Sequence, residues 1–286
     1  MTRQSSALKT WTVLAIAAAI AAPAIAQERG SSNLQFIRDL LVPDRTIVTA
    51  GVGPEFRPDY FGSDDYGVGV GTSFLVKFQS ATFGEDGLSV NILPNTDFEF
   101  GPVARLAGGR DESANEALEG LGDVGRTLEL GAFGAVTIAE TYRLRARYRH
   151  AIATGHRGGL LDVQAGRVLF EGRRVSSAAG IGITWVDNDY ADAFFSVTEG
   201  ASLESGVLPV FNAGGGIRDV RLGWNGAYRL TDRWGLAGYL RYNYLVGDTA
   251  DSPIVDLFGS RHQVALGMNL NYQFDFATGR RARNGS

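Results

Sequence analysis

In the stretch TYRLRARYRHAI, arginine stands at every second position: 143, 145, 147 and 149. Tyr142, Leu144, Ala146, Tyr148 and Ile152 fall on the alternate face, so as a strand the segment puts four cations on one side and apolar groups on the other. Four arginines are costly against hydrocarbon, so they must line a polar interior or face water. Such a face would do one of two things. It would select anions in a pore, or it would fill a narrow lumen by pairing with acids on neighbouring strands. Asp97, Glu99, Glu129 and Asp162 have the inward parity and neighbourhood for that pairing. Eight strands are just filled by their side chains and open channels are typical near sixteen, so a barrel of about ten favours the ion pairs.

Catalysis would need a nucleophile or an activated water supported by histidine and carboxylate. The histidines are His150, His156 and His262. His262 near Ser260, with Asp248, Asp251 and Ser252 in the same loop, is a triad-like cluster. No GxSxG, HExxH or paired-carboxylate motif accompanies it, and neither an enzyme nor a cofactor is expected. Two loops gather carboxylates: Asp59, Asp64 and Asp65 around Gly62 and Ser63, and Asp248, Asp251 and Asp256 around Ser252 and Pro253. Such loops would meet the cations that bridge lipopolysaccharide. Neither has the spacing of a calcium loop, so turn chemistry is the expectation and no metal site is assigned.

The elements that hold these residues follow from periodicity. In HQVALGMNLNYQFDF, Val264, Leu266, Met268, Leu270, Tyr272, Phe274 and Phe276 alternate with Gln263, Ala265, Gly267, Asn269, Asn271, Gln273 and Asp275. In a soluble sandwich that apolar face would point inward to a core; in a membrane barrel it points outward to lipid over a polar lumen, and the terminal aromatics fit the interfacial girdle of the barrel. RWGLAGYLRYNYLVG repeats it. The mean hydropathy of −0.04 is what such averaging produces. Glycine is 38 of 286 residues, nearly twice the ordinary usage of about 7%. There is no cysteine, and the net charge of −4 gives no reason to expect nucleic acid.

Residues 1–26 read as a cleavable signal peptide: Arg3 and Lys9, an apolar run, then Ala24-Ile25-Ala26. Residues 27–45 form a short periplasmic segment, 46–276 the barrel and 277–286 a basic tail. Long loops at 57–66, 109–126, 188–207 and 248–259, with a shorter one near 154–158, alternate with tight turns at 85–87, 139–141, 171–173 and 231–233. With both termini periplasmic, this gives a transmembrane antiparallel β-barrel of ten strands. Twelve, by splitting the long second, third or eighth segment, is the alternative, and it is expected to put loops 109–126 and 188–207 on the wrong side. Bulges are expected near Arg218-Asp219 and near Gly166, and a short helix over 113–118.

The loop GVGPEFRPDYFGSDDY, which carries Gly53, Pro54, Pro58, Asp59, Tyr60, Gly62 and Ser63, resembles the MipA/OmpV family of MltA-interacting outer-membrane proteins. So do FFSVTEGASLESGVLPVFNAGGGIRDVRL, the loop LVGDTADSPIVDLFGSRHQ with Asp248, Asp251, Ser252 and Pro253, and the ending NLNYQFDF. The resemblance covers nearly all of the mature chain. It implies an outer-membrane barrel that scaffolds a murein lytic transglycosylase and a transpeptidase, or presents loops for adhesion; a small channel is the alternative. Its partners would be outer-membrane lipid, lipopolysaccharide and those murein enzymes. One departure is the tail: Phe276, where barrels of this class commonly end, is followed by ATGRRARNGS.

Overall fold

A computed structural model describes residues 45–78, 80–93 and 97–277. The signal peptide, the segment 27–44 and the basic tail lie outside the described residues. Strands alternate because their sequences do. On β12 (His262–Ala277), Leu266, Met268, Leu270, Phe274 and Phe276 are exposed to the membrane side, while Gln263, Asn269 and Asn271 are buried in the lumen. The same division holds on β7 (Tyr142–Ala153), with Tyr142, Leu144, Tyr148 and Ile152 outside and Arg147 and Arg149 inside. Every strand pairs antiparallel with its chain neighbours, and β1 (Arg45–Pro58) closes the ring against β12. Gly53 permits that closure: a Cβ there would fall 1.9 Å from the Met268 carbonyl oxygen.

The barrel has twelve strands, not ten. The expected second strand is divided into β2 (Tyr66–Phe78) and β3 (Ala81–Gly84), and the expected third into β4 (Gly87–Val90) and β5 (Phe98–Ala107). Because both are split, the count rises by two and the parity of every later strand is kept. Loops 109–126 and 188–207 therefore remain at the loop-rich end, contrary to the objection that had favoured ten. The turn at Glu85 to Gly87 exists, but it is the tip of the β3–β4 hairpin and points away from the end where the other tight turns lie. The division had signals in the sequence: the apolar phase slips from Phe74, Val76 and Phe78 to Ala81 and Phe83 across Gln79-Ser80, and Pro94-Asn95 held a turn signal within the presumed strand.

The remaining strands are β6 (Thr127–Ile138), β8 (Gly159–Glu171), β9 (Val175–Val186), β10 (Gly216–Arg229) and β11 (Trp234–Leu245). The first bulge falls where expected, between Ile217 and Asp219; the second lies between Val168 and Phe170 rather than at Gly166. Strand β10 begins at Gly216, so residues 208–215 belong to the loop before it. The first residue of β1 and the last of β12, Arg45 and Ala277, are ladder partners and so share the end opposite the long loops.

Those long loops are folded. The segment before β10 contains α1 (Asn188–Phe195) and α2 (Glu199–Ser205), and the segment before β12 contains α3 (Gly247–Asp251) and α4 (Pro253–Asp256). Asp187 caps α1 by accepting from Tyr190 N–H, and Thr198 caps α2 by accepting from Ala201 N–H. In place of one helix over 113–118 stand two short 3-10 turns, Glu112–Ala114 and Glu116–Leu118. Leu118, Tyr190, Phe195, Leu208, Ile254 and Val255 bury one another in an apolar cluster over the barrel mouth.

Candidate functional site

The lumen gathers the arginine ladder against acids on both neighbouring strands. β7 lies between β6 and β8, with Arg147 directly opposite Asp162 in the ladder. Arg149 donates from Nη1 to Glu129 Oε2 at 2.8 Å and from Nη2 to Asp162 Oδ2 at 2.7 Å. Arg147 reaches the same Asp162 oxygen at 3.4 Å and Asp86 at 3.8 Å. Toward the other end, Arg143 binds Glu99 through two parallel hydrogen bonds, 2.7 and 2.6 Å long; this fork geometry is the strong form of the pair. Arg145 lies over the Phe133 ring, 5.3 Å from its centroid. Asp97 is not part of the network. It sits in the connection before β5, exposed, and accepts from Thr137 N–H through its main-chain carbonyl.

Several members are additions to the sequence reading. Arg221 on β10 donates to Asp162 Oδ1 at 3.3 Å and to Thr184 Oγ1 at 2.6 Å. Arg218 bonds Asp219 at 2.8 Å. His156 Nε2 is 3.0 Å from Glu129 Oε1, and its ring packs against Tyr190 and Phe194 of α1. Strand parity would have found Arg221, but the bulge hid Arg218 and Asp219, and Asp86 rides on a hairpin tip read as lying outside the lumen. Charges this far from water persist only when paired and hydrogen-bonded. The network therefore lines the lumen wall from β5 to β10 with mutually dependent groups.

The two loops singled out by resemblance, expected as separate turns, meet over the mouth. Tyr60 Oη donates to the carbonyls of Ile254 at 2.8 Å and Phe258 at 3.2 Å. Gly62 N–H donates to Gln263 Oε1, and Ser260 N–H to the Gly62 carbonyl. Gly62 is at φ +114°, and a Cβ there would strike Val255 at 2.6 Å, so both backbone and packing demand glycine. Ser63 is buried and its Oγ accepts from Asp65 N–H. Asp59 lies at the edge of this packing, its N–H donating to the Asp65 carbonyl. Pro54 is within β1, Pro58 ends it, and Pro253 opens α4. Burial pushes the Tyr60 phenol upward, with Asp64 adding to the shift. Burial also pushes the Arg110 guanidinium down to about 10, against the opposing pull of Asp123 and Glu112.

The triad-like cluster is dispersed. His262 Nδ1 pairs with the Tyr242 hydroxyl at 2.7 Å. Ser252 Oγ donates to the Phe195 carbonyl at 2.6 Å, Asp248 accepts from Gly214 N–H, and Asp251 is held by Arg261. Among the described residues, no three histidine, aspartate or glutamate side chains are grouped to hold a metal ion. The helices of the cap were not read from sequence. Their signal was present: Asp187 before Tyr190, Ala191, Phe194 and Phe195 is a helix cap followed by helically spaced apolar residues.

Residues 50–274 match the model of the family described as MltA-interacting protein MipA. The outer membrane protein Omp26La of Vibrio anguillarum is 24% identical over 164 residues, 57% of this chain. The chain spans 61% of the length of that curated relative. Among solved structures, the NanC porin is similar at 9% identity over 78% of this chain and 98% of its own, with a TM-score of 0.41. OmpT of Vibrio cholerae is similar at 8% identity over 82% and 99%, with a TM-score of 0.35.

Proposed function

The chain belongs to the MltA-interacting protein MipA family, and from that membership we propose that this outer-membrane barrel acts by interaction. It brings a murein lytic transglycosylase and a transpeptidase together at the periplasmic end, and performs no catalytic chemistry of its own. The observation that carries this reading is cover at two depths: buried ion pairs tie together the lumen faces of neighbouring strands from β5 to β10, and folded loops with an apolar core cover the mouth. A barrel covered in this way has its surfaces to work with. At the end shared by Arg45 and Ala277 the turns are short, so the docking surface falls to the termini, residues 27–44 and 278–286. The cap is a folded body, and presenting it to other cells is the second form of the same reading.

Removing both termini and testing retention of a lytic transglycosylase on the purified protein tests the proposal. Retention is expected to fall to background; unchanged binding excludes the termini as the docking site. In planar bilayers the intact protein is expected to give no large steady openings. Sustained anion-selective conductance would make the arginine ladder a selectivity surface and the protein a channel.

A further inference from the structure

Among the described residues, the barrel wall is incomplete between β2 and β5. There it consists of the β3–β4 hairpin alone, which pairs with Leu75–Phe78 on one side and through Leu88 and Ser89 with β5 on the other. Beyond the hairpin tip, Gly67–Gly71 of β2 have ladder partners on β1 and, among the described residues, none on the opposite edge. Below the tip the two hairpin strands set β5 three strand spacings from β2, about 14 Å. Asn115 Nδ2, donating to Asp65 Oδ2 at 3.0 Å, bridges the gap at its outer end. Val68, Val70 and Leu106, which flank it, are 80%, 72% and 65% exposed, the highest values of any large apolar strand residue described.

The slot has a distinct lining at each level. On the lumen side β2 presents Gly67, Gly69 and Gly71, and no atom lies within 4 Å of a Cβ built at Gly69. At the outer end, Asp59–Phe61 and Gly108–Asp111 join Leu118, Phe194, Phe195 and Ile254 around a small apolar cavity. Arg110 enters that cavity. Its Nη1 donates to the Phe194 carbonyl at 2.7 Å, and its Nη2 to the Leu121 and Gly122 carbonyls at 3.3 Å. Its Nε–H is buried without an acceptor.

We propose that this slot binds a single-chain amphiphile with an uncharged hydroxylated head. Hydrocarbon cannot satisfy an open strand edge, which is tolerated in a membrane only beside protein or water. The β2 edge thus takes water from the lumen, while Val68, Val70 and Leu106 offer the acyl chain an apolar rim. The head then reaches the rim of the cap, the orientation of an outer-leaflet lipid. A hydroxyl there lies beside the Arg110 guanidinium and donates to Asp59 or Asp111. A carboxylate head would accept but could not donate, and it would meet both aspartates.

Native mass spectrometry of the full protein in neutral detergent, with monolaurin and laurate as probes, tests the assignment. One monolaurin is expected per chain, bound about tenfold more tightly than laurate, a difference of about 1.4 kcal/mol. Gly69→Trp, which fills the lumen side of the slot, and Leu106→Trp, on the opposite rim, are each expected to weaken monolaurin by about tenfold or more. Retained heat-modifiability on gels shows that each variant is folded, and two sites keep the test decisive should one misfold. Absence of an adduct, a laurate preference, or equal occupancy in folded variants would overturn the proposal. So would photo-crosslinking from Val70→Cys to a polypeptide in native membranes, because a partner strand would then complete the edge.

Discussion

The barrel and its cap are built inside out with respect to each other. In the barrel, apolar side chains face outward and the interior holds Arg147, Arg149, Glu129 and Asp162, each at most 5% exposed. In the cap, Leu118, Val197, Leu208 and Ile254 are each at most 2% exposed, and charged residues such as Arg261 and Asp251 stand outside. The surrounding solvent accounts for the reversal. Lipid rewards outward apolar groups and leaves the lumen to polar ones, whereas the cap meets water and must bury its apolar groups as a soluble domain does. Failure should differ accordingly. Loss of one lumen carboxylate strands several cations at once, while loss of one cap side chain leaves a local cavity.

Asp162→Ala is expected to be the most damaging change, because Arg147, Arg149 and Arg221 share that carboxylate. Breaking a buried pair costs about 3–5 kcal/mol, read as a shifted urea midpoint in detergent; a loss below about 1 kcal/mol would mean the lumen is hydrated and the contrast with the cap false. Ile254→Ala should cost about 2–4 kcal/mol, confined to the cap. Faster proteolysis within 246–261, with the heat-modifiable barrel band unchanged, is the expected pattern; joint melting of barrel and cap would show them to be one cooperative unit. Tyr60→Phe removes the bond to the Ile254 carbonyl but keeps the ring, and should cost the cap about 1 kcal/mol by the same proteolysis assay. Arg261→Ala should matter least, at most about 0.5 kcal/mol, since its pairs with Asp251 and Asp256 are exposed.

Much of the lumen was legible from parity alone. Arg143, Arg147 and Arg149 meet Glu99, Glu129 and Asp162 as alternation and neighbouring strands suggested. Parity could not exclude Asp97, whose position depends on where β5 begins, nor include Asp219, whose face is set by a bulge. Four-residue strands were beyond its reach as well. β3 and β4 are too short to show a period of their own; β4 keeps the phase of β5, while β3 shifts that of β2 by one residue.

The residues by themselves thus pointed to a barrel, its lipid face and the polarity of its lumen, because period two is a local property that every strand carries. The tertiary structure decided the number of strands, the partners of each charge and the meeting of Tyr60 with Ile254 across 194 positions. Those outcomes depend on register, closure and the packing of distant loops, and no short window of sequence contains the energy that selects among them.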